Sequence, residues 1–116
     1  MVYTSYISKA MESLNTAVVI SDPNFVVTYA NKRAYEMFGA LEIPDLRVGK
    51  NMMECHEPET AEKLSKIYQA FSEKKKKLHY YTADGPEGTL TIVAVPFFEG
   101  DALGGVVEYI FEGGLG

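Results

Sequence analysis

Apolar positions along the chain recur with two periods, and the switches between them mark out its elements. At 2–14, Tyr3, Ile7, Met11 and Leu14 fall on one helical stripe, widened by Tyr6 and Ala10, with Lys9 and Glu12 on the polar side. Segments 17–21 (AVVIS) and 25–30 (FVVTYA) are rich in β-branched and aromatic residues. Asp22-Pro23-Asn24 between them is turn chemistry, so a hairpin is predicted. Asn31 is placed to cap a helix running through Phe38, and Gly39 suits the left-handed position after its end. Ala34, Tyr35 and Phe38 are expected on the core face of that helix.

The helical period is strongest at 58–73, where Ala61, Leu64, Ile67, Tyr68 and Phe71 recur. Pro58 fits the first turn, Glu57, Glu59 and Glu62 crowd the start, and Lys74 to Lys77 follow the end, each complementing the helix dipole. The lysine run reads as a solvated loop. Between the two helices, 40–57 is irregular and interrupted by Pro44 and Gly49. Asn51, with Glu54 three residues on, predicts a one-turn helix over 52–55.

Three strands are predicted at 78–83, 89–98 and 104–112, separated by Asp84–Gly88 and Glu99–Asp101. Pro96 has no N–H, so it should lie near a strand end, at a bulge or on an edge. In the last strand Val107, Tyr109 and Phe111 alternate with Val106, Glu108 and Ile110, so its faces differ in polarity only at Glu108 and Glu112. The final GGLG is expected to fray. The order of elements implies an α+β fold: a five-stranded antiparallel sheet with helices on one face, plus an N-terminal amphipathic helix. That first helix has two readings, packed on its own sheet or shared with a second subunit.

Composition narrows the function classes. With 116 residues the chain suits one domain over 1–116, and 47% apolar residues suffice for a core. A net charge of -5 argues against a nucleic-acid partner, which would need a basic face. No apolar run approaches the roughly 20 residues of a bilayer span, so no membrane association is expected. No signal peptide is visible and Cys55 is the single cysteine, which together fit a cytoplasmic setting.

Cys55-His56 is the most chemically loaded pair. His56 should lie near the start of the long helix, where the dipole disfavours its protonated form. A neutral imidazole is a good axial haem or transition-metal ligand, and a cysteine near a helix start can have a depressed pKa. The bland alternative is a His56 that hydrogen-bonds backbone and a Cys55 that fills a gap. His79 shares a strand face with residues 81 and 83, and one cysteine with two histidines at no regular spacing is a weak metal signal. Tyr29, Tyr35, Tyr80, Tyr81, Tyr109, Phe97, Phe98 and Phe111 suit either a core or a ligand cavity, and Met37, Met52 and Met53 would give such a cavity an adaptable wall. No nucleophile elbow, phosphate loop or carboxylate pair is found, so the chain is not expected to be an enzyme.

The order of helix, two strands, helices and three strands, with the junction Tyr29-Ala30-Asn31 and the closing GGVVEYIFE, resembles the PAS domain, a sensory module of bacterial and archaeal signalling proteins. Cys55-His56-Glu57-Pro58 is similar to the Cys-His-Pro stretch that a subset of prokaryotic PAS-like modules carries before the long helix, with Glu57 intervening here. The glycine usual in the first PAS hairpin is Asn24 here, which also tolerates a left-handed backbone. The Asn-Cys-Arg-Phe pattern of the light-sensing subfamily is not matched around Cys55.

The resemblance implies a hollow between sheet and helices that takes haem or a small organic ligand. His56 is the first ligand candidate, the metal ligand if haem is bound; Cys55, Tyr35, Met37, Met52 and Met53 are the further cofactor-binding candidates. It also implies a homodimer through the N-terminal helix and sheet, and an output domain or partner signalling protein. The alternative is a ligand-free dimerisation module.

Overall fold

The computed structural model describes residues 2–40, 46–85 and 88–113. Its elements are α1 (Val2–Ser13), β1 (Ala17–Ser21), β2 (Val27–Ala30), α2 (Lys32–Ala40), a 3-10 helix (Met52–Cys55), α3 (Pro58–Ser72), β3 (His79–Gly85), β4 (Gly88–Glu99) and β5 (Ala102–Glu112). The strands form one antiparallel sheet in the order β2-β1-β5-β4-β3. The chain's last strand therefore lies at its centre, beside the first. This is the α+β arrangement expected from the pattern, with α2 and α3 on one face and α1 against α2.

Register decides which residues meet those helices. Val19, Glu108, Ala94 and His79 form one row across β1, β5, β4 and β3. Ala17, Ile110, Ile92 and Tyr81 form the next row on the same face. Under α2 this face joins Ala34 and Met37 in a core with Ala17, Val19, Val27, Ala30, Ile92 and Ile110. Under α3 it joins Tyr68 and Phe71 in a second core with Ala94 and Val106. Met52 packs against both.

Asn31 holds the first three elements together. Its side-chain oxygen accepts from the N–H groups of Val18 (3.0 Å) and Ala34 (2.9 Å), the latter capping α2. Its amide donates to the carbonyls of Met11 (2.8 Å) and Thr16 (3.0 Å), which ties down the end of α1. Glu12 adds to this by accepting from the Tyr29 hydroxyl (3.0 Å) and the Lys32 N–H (3.1 Å).

Several local expectations are corrected. The left-handed residue of the first turn is Phe25 (φ 69°), not Asn24. The Asp22 carboxylate accepts from the N–H groups of Asn24 (2.8 Å) and Val26 (3.1 Å), winding the loop one residue further. Phe25 then packs its ring 4.4 Å from that of Tyr68, which offsets the roughly 1–2 kcal/mol cost of the backbone. Val26 bridges to Asn51, so β2 begins at Val27. Gly39 lies inside α2, which Ala40, a good helix former, continues. The buried stripe of α2 is Ala34, Met37 and Phe38; Tyr35, about 100° round from Ala34, is 43% exposed.

Other expectations hold with sharper detail. Asn51 caps the 3-10 helix by accepting from the Met53 N–H (2.9 Å). Pro96 satisfies two of its conditions: β3 pairs with β4 only as far as Ala94, and a bulge follows at Phe97/Phe98. β3 extends to Gly85, which pairs with Gly88; Pro86 and Glu87 of the predicted turn lie outside the described residues, as do Pro44 and the last three tail residues. At Gly105 an added Cβ would sit 2.2 Å from the Ser21 carbonyl oxygen, so only glycine lets β5 approach β1 there.

Candidate functional site

Between the sheet and α3 lies a cavity of about 680 Å³. Val19, Val27 and Glu108 form its sheet side, Leu64 and Ile67 roof it from α3, and Phe38, Leu46 and Met52 close one end. His56, Thr60, Lys63, Lys66 and Tyr81 line it too and are exposed, so they mark its mouth. The local sequence builds this arrangement. The Pro58 start and helical stripe of α3 aim Leu64 and Ile67 downward, while the period of β5 aims Glu108 upward between Val106 and Ile110.

His56 follows the 3-10 helix and precedes Pro58. Partial desolvation of the ring against the cavity holds its pKa below the ordinary histidine value, although the residue as a whole is exposed. Desolvation is the cause of this lowering, rather than the helix dipole invoked from the sequence. His79 is also lowered, by burial first and then by Lys76, whose ammonium lies 3.0 Å from the His79 Nδ1. The Tyr81 hydroxyl is pushed up to about 12, by burial first and then by the charge of Glu108. Glu108 is pushed up to about 7 by burial. Among the described residues the Glu108 side chain has no hydrogen bond or ion pair.

The cations around the cavity are partnered. Lys50, nearly buried, lies 3.4 Å from Glu54. On α3, Lys63 pairs with Glu59 (3.9 Å) and Lys66 with Glu62 (3.4 Å). Among the described residues no cluster of three His, Cys, Asp or Glu side chains is close enough to hold a metal ion.

The cavity brings together His56 and Met52 of the sequence candidates, with His79 and Tyr81 beside them. Met53 is half-buried outside the lining, Met37 belongs to the core under α2, and Tyr35 faces outward. Cys55 ends the 3-10 helix, and its side chain lies outside the described residues. Tyr80 and Phe111 are 55% and 44% exposed on the other sheet face. Glu108 and Lys50 also line the cavity, and no sequence motif marks either. A signal for Glu108 was present in the alternation Val106-Val107-Glu108-Tyr109-Ile110, which puts a carboxylate on an otherwise apolar face.

A hydroxyl pair also escaped sequence reasoning. Tyr68 and Ser21, both buried, lie 2.6 Å apart and fasten α3 to β1. Burial raises the Tyr68 pKa, and the bond from Ser21 acts against that rise.

A family model described as PAS domain matches residues 15–112. No curated protein matches the chain in a sequence search. Among solved structures, a C-terminal domain from Streptococcus mutans superposes with a TM-score of 0.74 at 14% identity, covering 92% of this chain and 82% of that one. The PAS domain of BvgS from Bordetella pertussis gives 0.67 at 13% identity, covering 99% and 90%. A sensory box sensor histidine kinase from Vibrio cholerae gives 0.61 at 16% identity, covering 94% and 87%. The chain belongs to the PAS domain family.

Proposed function

We propose that this PAS domain is a sensor that holds a small organic molecule or haem in the cavity between sheet and α3. Occupancy is relayed through a homodimer, an output domain or a partner signalling protein. Family membership supports the sensory and regulatory role. The observation that carries the ligand reading is the cavity itself: about 680 Å³, walled by apolar side chains, with the polar groups of His56, His79 and Glu108 on it. That size and lining are typical of a small-molecule site. The role is binding rather than catalysis.

What the cavity touches supports this relay. Its floor includes Val19 of β1 and Glu108 of the neighbouring strand β5. β1 is tied through Asn31 to the end of α1. A ligand that shifts the sheet therefore shifts the α1 anchor, which is the differential contact a two-state switch needs. If haem is the occupant, the neutral ring of His56 would hold its iron and the apolar walls would receive the macrocycle.

A second reading, a ligand-free dimerisation module, is favoured by a different observation. On α1, Tyr6 and Ile7 are 74% and 56% exposed, and the outer sheet face also presents Tyr80 and Phe111. Native mass spectrometry of the protein as purified separates the two. A defined mass above the chain supports the sensor; bare chains at dimer mass support the module. For haem, His56→Ala should abolish the absorption spectrum, and an unchanged spectrum removes His56 from that role. Ile7→Glu with Met11→Glu should give monomers if α1 builds the interface; a persisting dimer excludes it.

A further inference from the structure

We propose that the cavity selects a small organic cation, an apolar body carrying a protonated amine whose N–H groups are taken by the Glu108 carboxylate. This rests on the reading of the cavity as a ligand chamber and names the chemistry that it recognises.

Glu108 stands on the central strand β5, with Val106 and Ile110 on the same face and Val19 and Ala94 opposite it on the flanking strands. Among the described residues it meets no hydrogen-bond donor and no cation, although its side chain lines the cavity. An unpaired carboxylate in apolar surroundings is costly unless something supplies the partner. Among the described residues, the lysines that line the cavity have acidic partners of their own: Lys50 has Glu54, Lys63 has Glu59 and Lys66 has Glu62. The two histidines that line the cavity are held towards their neutral forms. A ligand that brings its own cation therefore supplies the partner that the cavity lining lacks.

The same facts disfavour an anion. A ligand carboxylate or phosphate would meet Glu108 inside and lysines already neutralised at the mouth. A neutral donor, such as an alcohol, would satisfy one oxygen but leave the charge uncompensated. A protonated amine does both, and Val27, Phe38, Leu64 and Ile67 receive its apolar body.

Protonation sharpens this selection. Glu108 is pushed up to about 7, so near neutral pH it is partly protonated, and an amine draws it to the carboxylate. The titratable groups sharing the cavity are Lys50, His56, Lys63, Lys66, His79 and Tyr81, with Tyr68 of α3 close enough to feel the Glu108 charge. Acidification charges the histidines and neutralises Glu108, and both changes oppose an amine. Amine affinity should therefore rise from about pH 6 to about pH 8.

The test is calorimetric titration of the whole chain with three probes of matched body: 2-phenylethylamine, 2-phenylethanol and 3-phenylpropanoate. The amine should bind about tenfold tighter than the alcohol at about pH 8, with the acid weakest. Glu108→Gln should remove about tenfold from the amine and leave the alcohol unchanged. Glu108→Met serves as the second variant, and circular dichroism checks that each is folded. An acid that matches or outbinds the amine, or an amine preference that survives both variants, overturns the amine selection while leaving the chamber intact. Failure of all three probes, together with bare chains in the native mass spectrum, overturns the chamber reading and this inference with it.

Discussion

From Tyr68 to Ser72, α3 is held by buried rings, a hydroxyl pair and a capped end; from Thr60 to Ile67, the same helix roofs a cavity. Tyr68 and Phe71 are 4% and 0% exposed, and Tyr68 packs at a tilt against Phe25 and bonds Ser21. Beyond Ser72 the N–H of Lys75 donates to Ala70 (2.9 Å) and that of Lys74 to Phe71 (3.0 Å), which closes the helix with a left-handed residue. The other end has Glu57 at its cap position with no side-chain bond, then exposed ion pairs worth a few tenths of a kcal/mol each. One half anchors the helix, and under the proposed function the other is the half that would respond to a ligand beneath it. Low local stability is drawn to binding elements for this reason.

The largest effect should come from breaking the anchor. Phe71→Ala removes a fully buried ring and should cost about 3–5 kcal/mol, measured by urea unfolding. Leu64→Ala, over the cavity, should cost much less, because its side chain already faces open volume and is half-buried. Equal losses at the two sites would erase the distinction between the halves.

The next effect lies under the roof and depends on pH. The folded-state pKa of Glu108, about 7, lies above its ordinary 4.5, so the fold binds this proton more tightly than the unfolded chain. The stability this brings is full below about 4.5 and is lost as pH rises through about 7. Glu108→Gln should therefore be nearly neutral at about pH 4 and stabilising by up to about 3 kcal/mol at about pH 9. His56 runs the other way: its pKa is lowered, so it costs stability as pH falls below the ordinary histidine range. Thermal melts of wild type and Glu108→Gln across pH check both signs, and a variant that follows the wild-type curve above about pH 7 removes Glu108 from the cavity's electrostatics.

Tyr68→Phe probes the anchor more gently. It removes one hydroxyl and leaves that of Ser21 buried without its partner, so about 1–2 kcal/mol should be lost. Probe binding in the cavity should change little. A large loss of affinity with little loss of stability would mean that the anchor and the roof move as one.

The sheet and three helices were legible because their periods are strong. AVVIS, the alternating β5 and the stripe of α3 each agree with their burial in the fold. Turn geometry was less legible. Asp22-Pro23-Asn24 announces a turn, but only the reach of the Asp22 carboxylate to Val26 decides that Phe25 is the left-handed residue. Tyr35 was misplaced because aromatic character outweighed phase, and phase assigns the face to Met37 instead. Half of the site was readable: His56 stood out as chemistry and Met52 as a flexible apolar residue. Glu108 was visible as an exception to its face, but knowing that no cation among the described residues meets it requires the packing of β1, β4 and α3 around it. The Ser21–Tyr68 pair joins residues 47 positions apart and leaves no local mark.

The smallest effect concerns the cap. Lys74 holds a left-handed backbone (φ 60°) that glycine adopts without the Cβ penalty. Lys74→Gly should relieve about 1 kcal/mol of that cost. Against this stand an exposed pair with Asp101 at 3.5 Å and an ammonium 5.4 Å from the Phe98 ring centre, together worth about 0.5 kcal/mol. The expected balance is a gain of about 0.5 kcal/mol in urea unfolding, with cavity affinity unchanged. A loss instead would mean that the lysine's contacts to the β4–β5 hairpin, rather than the backbone motif, finish the anchored half of α3. The anchor would then extend past the helix to the turn at Gly100-Asp101.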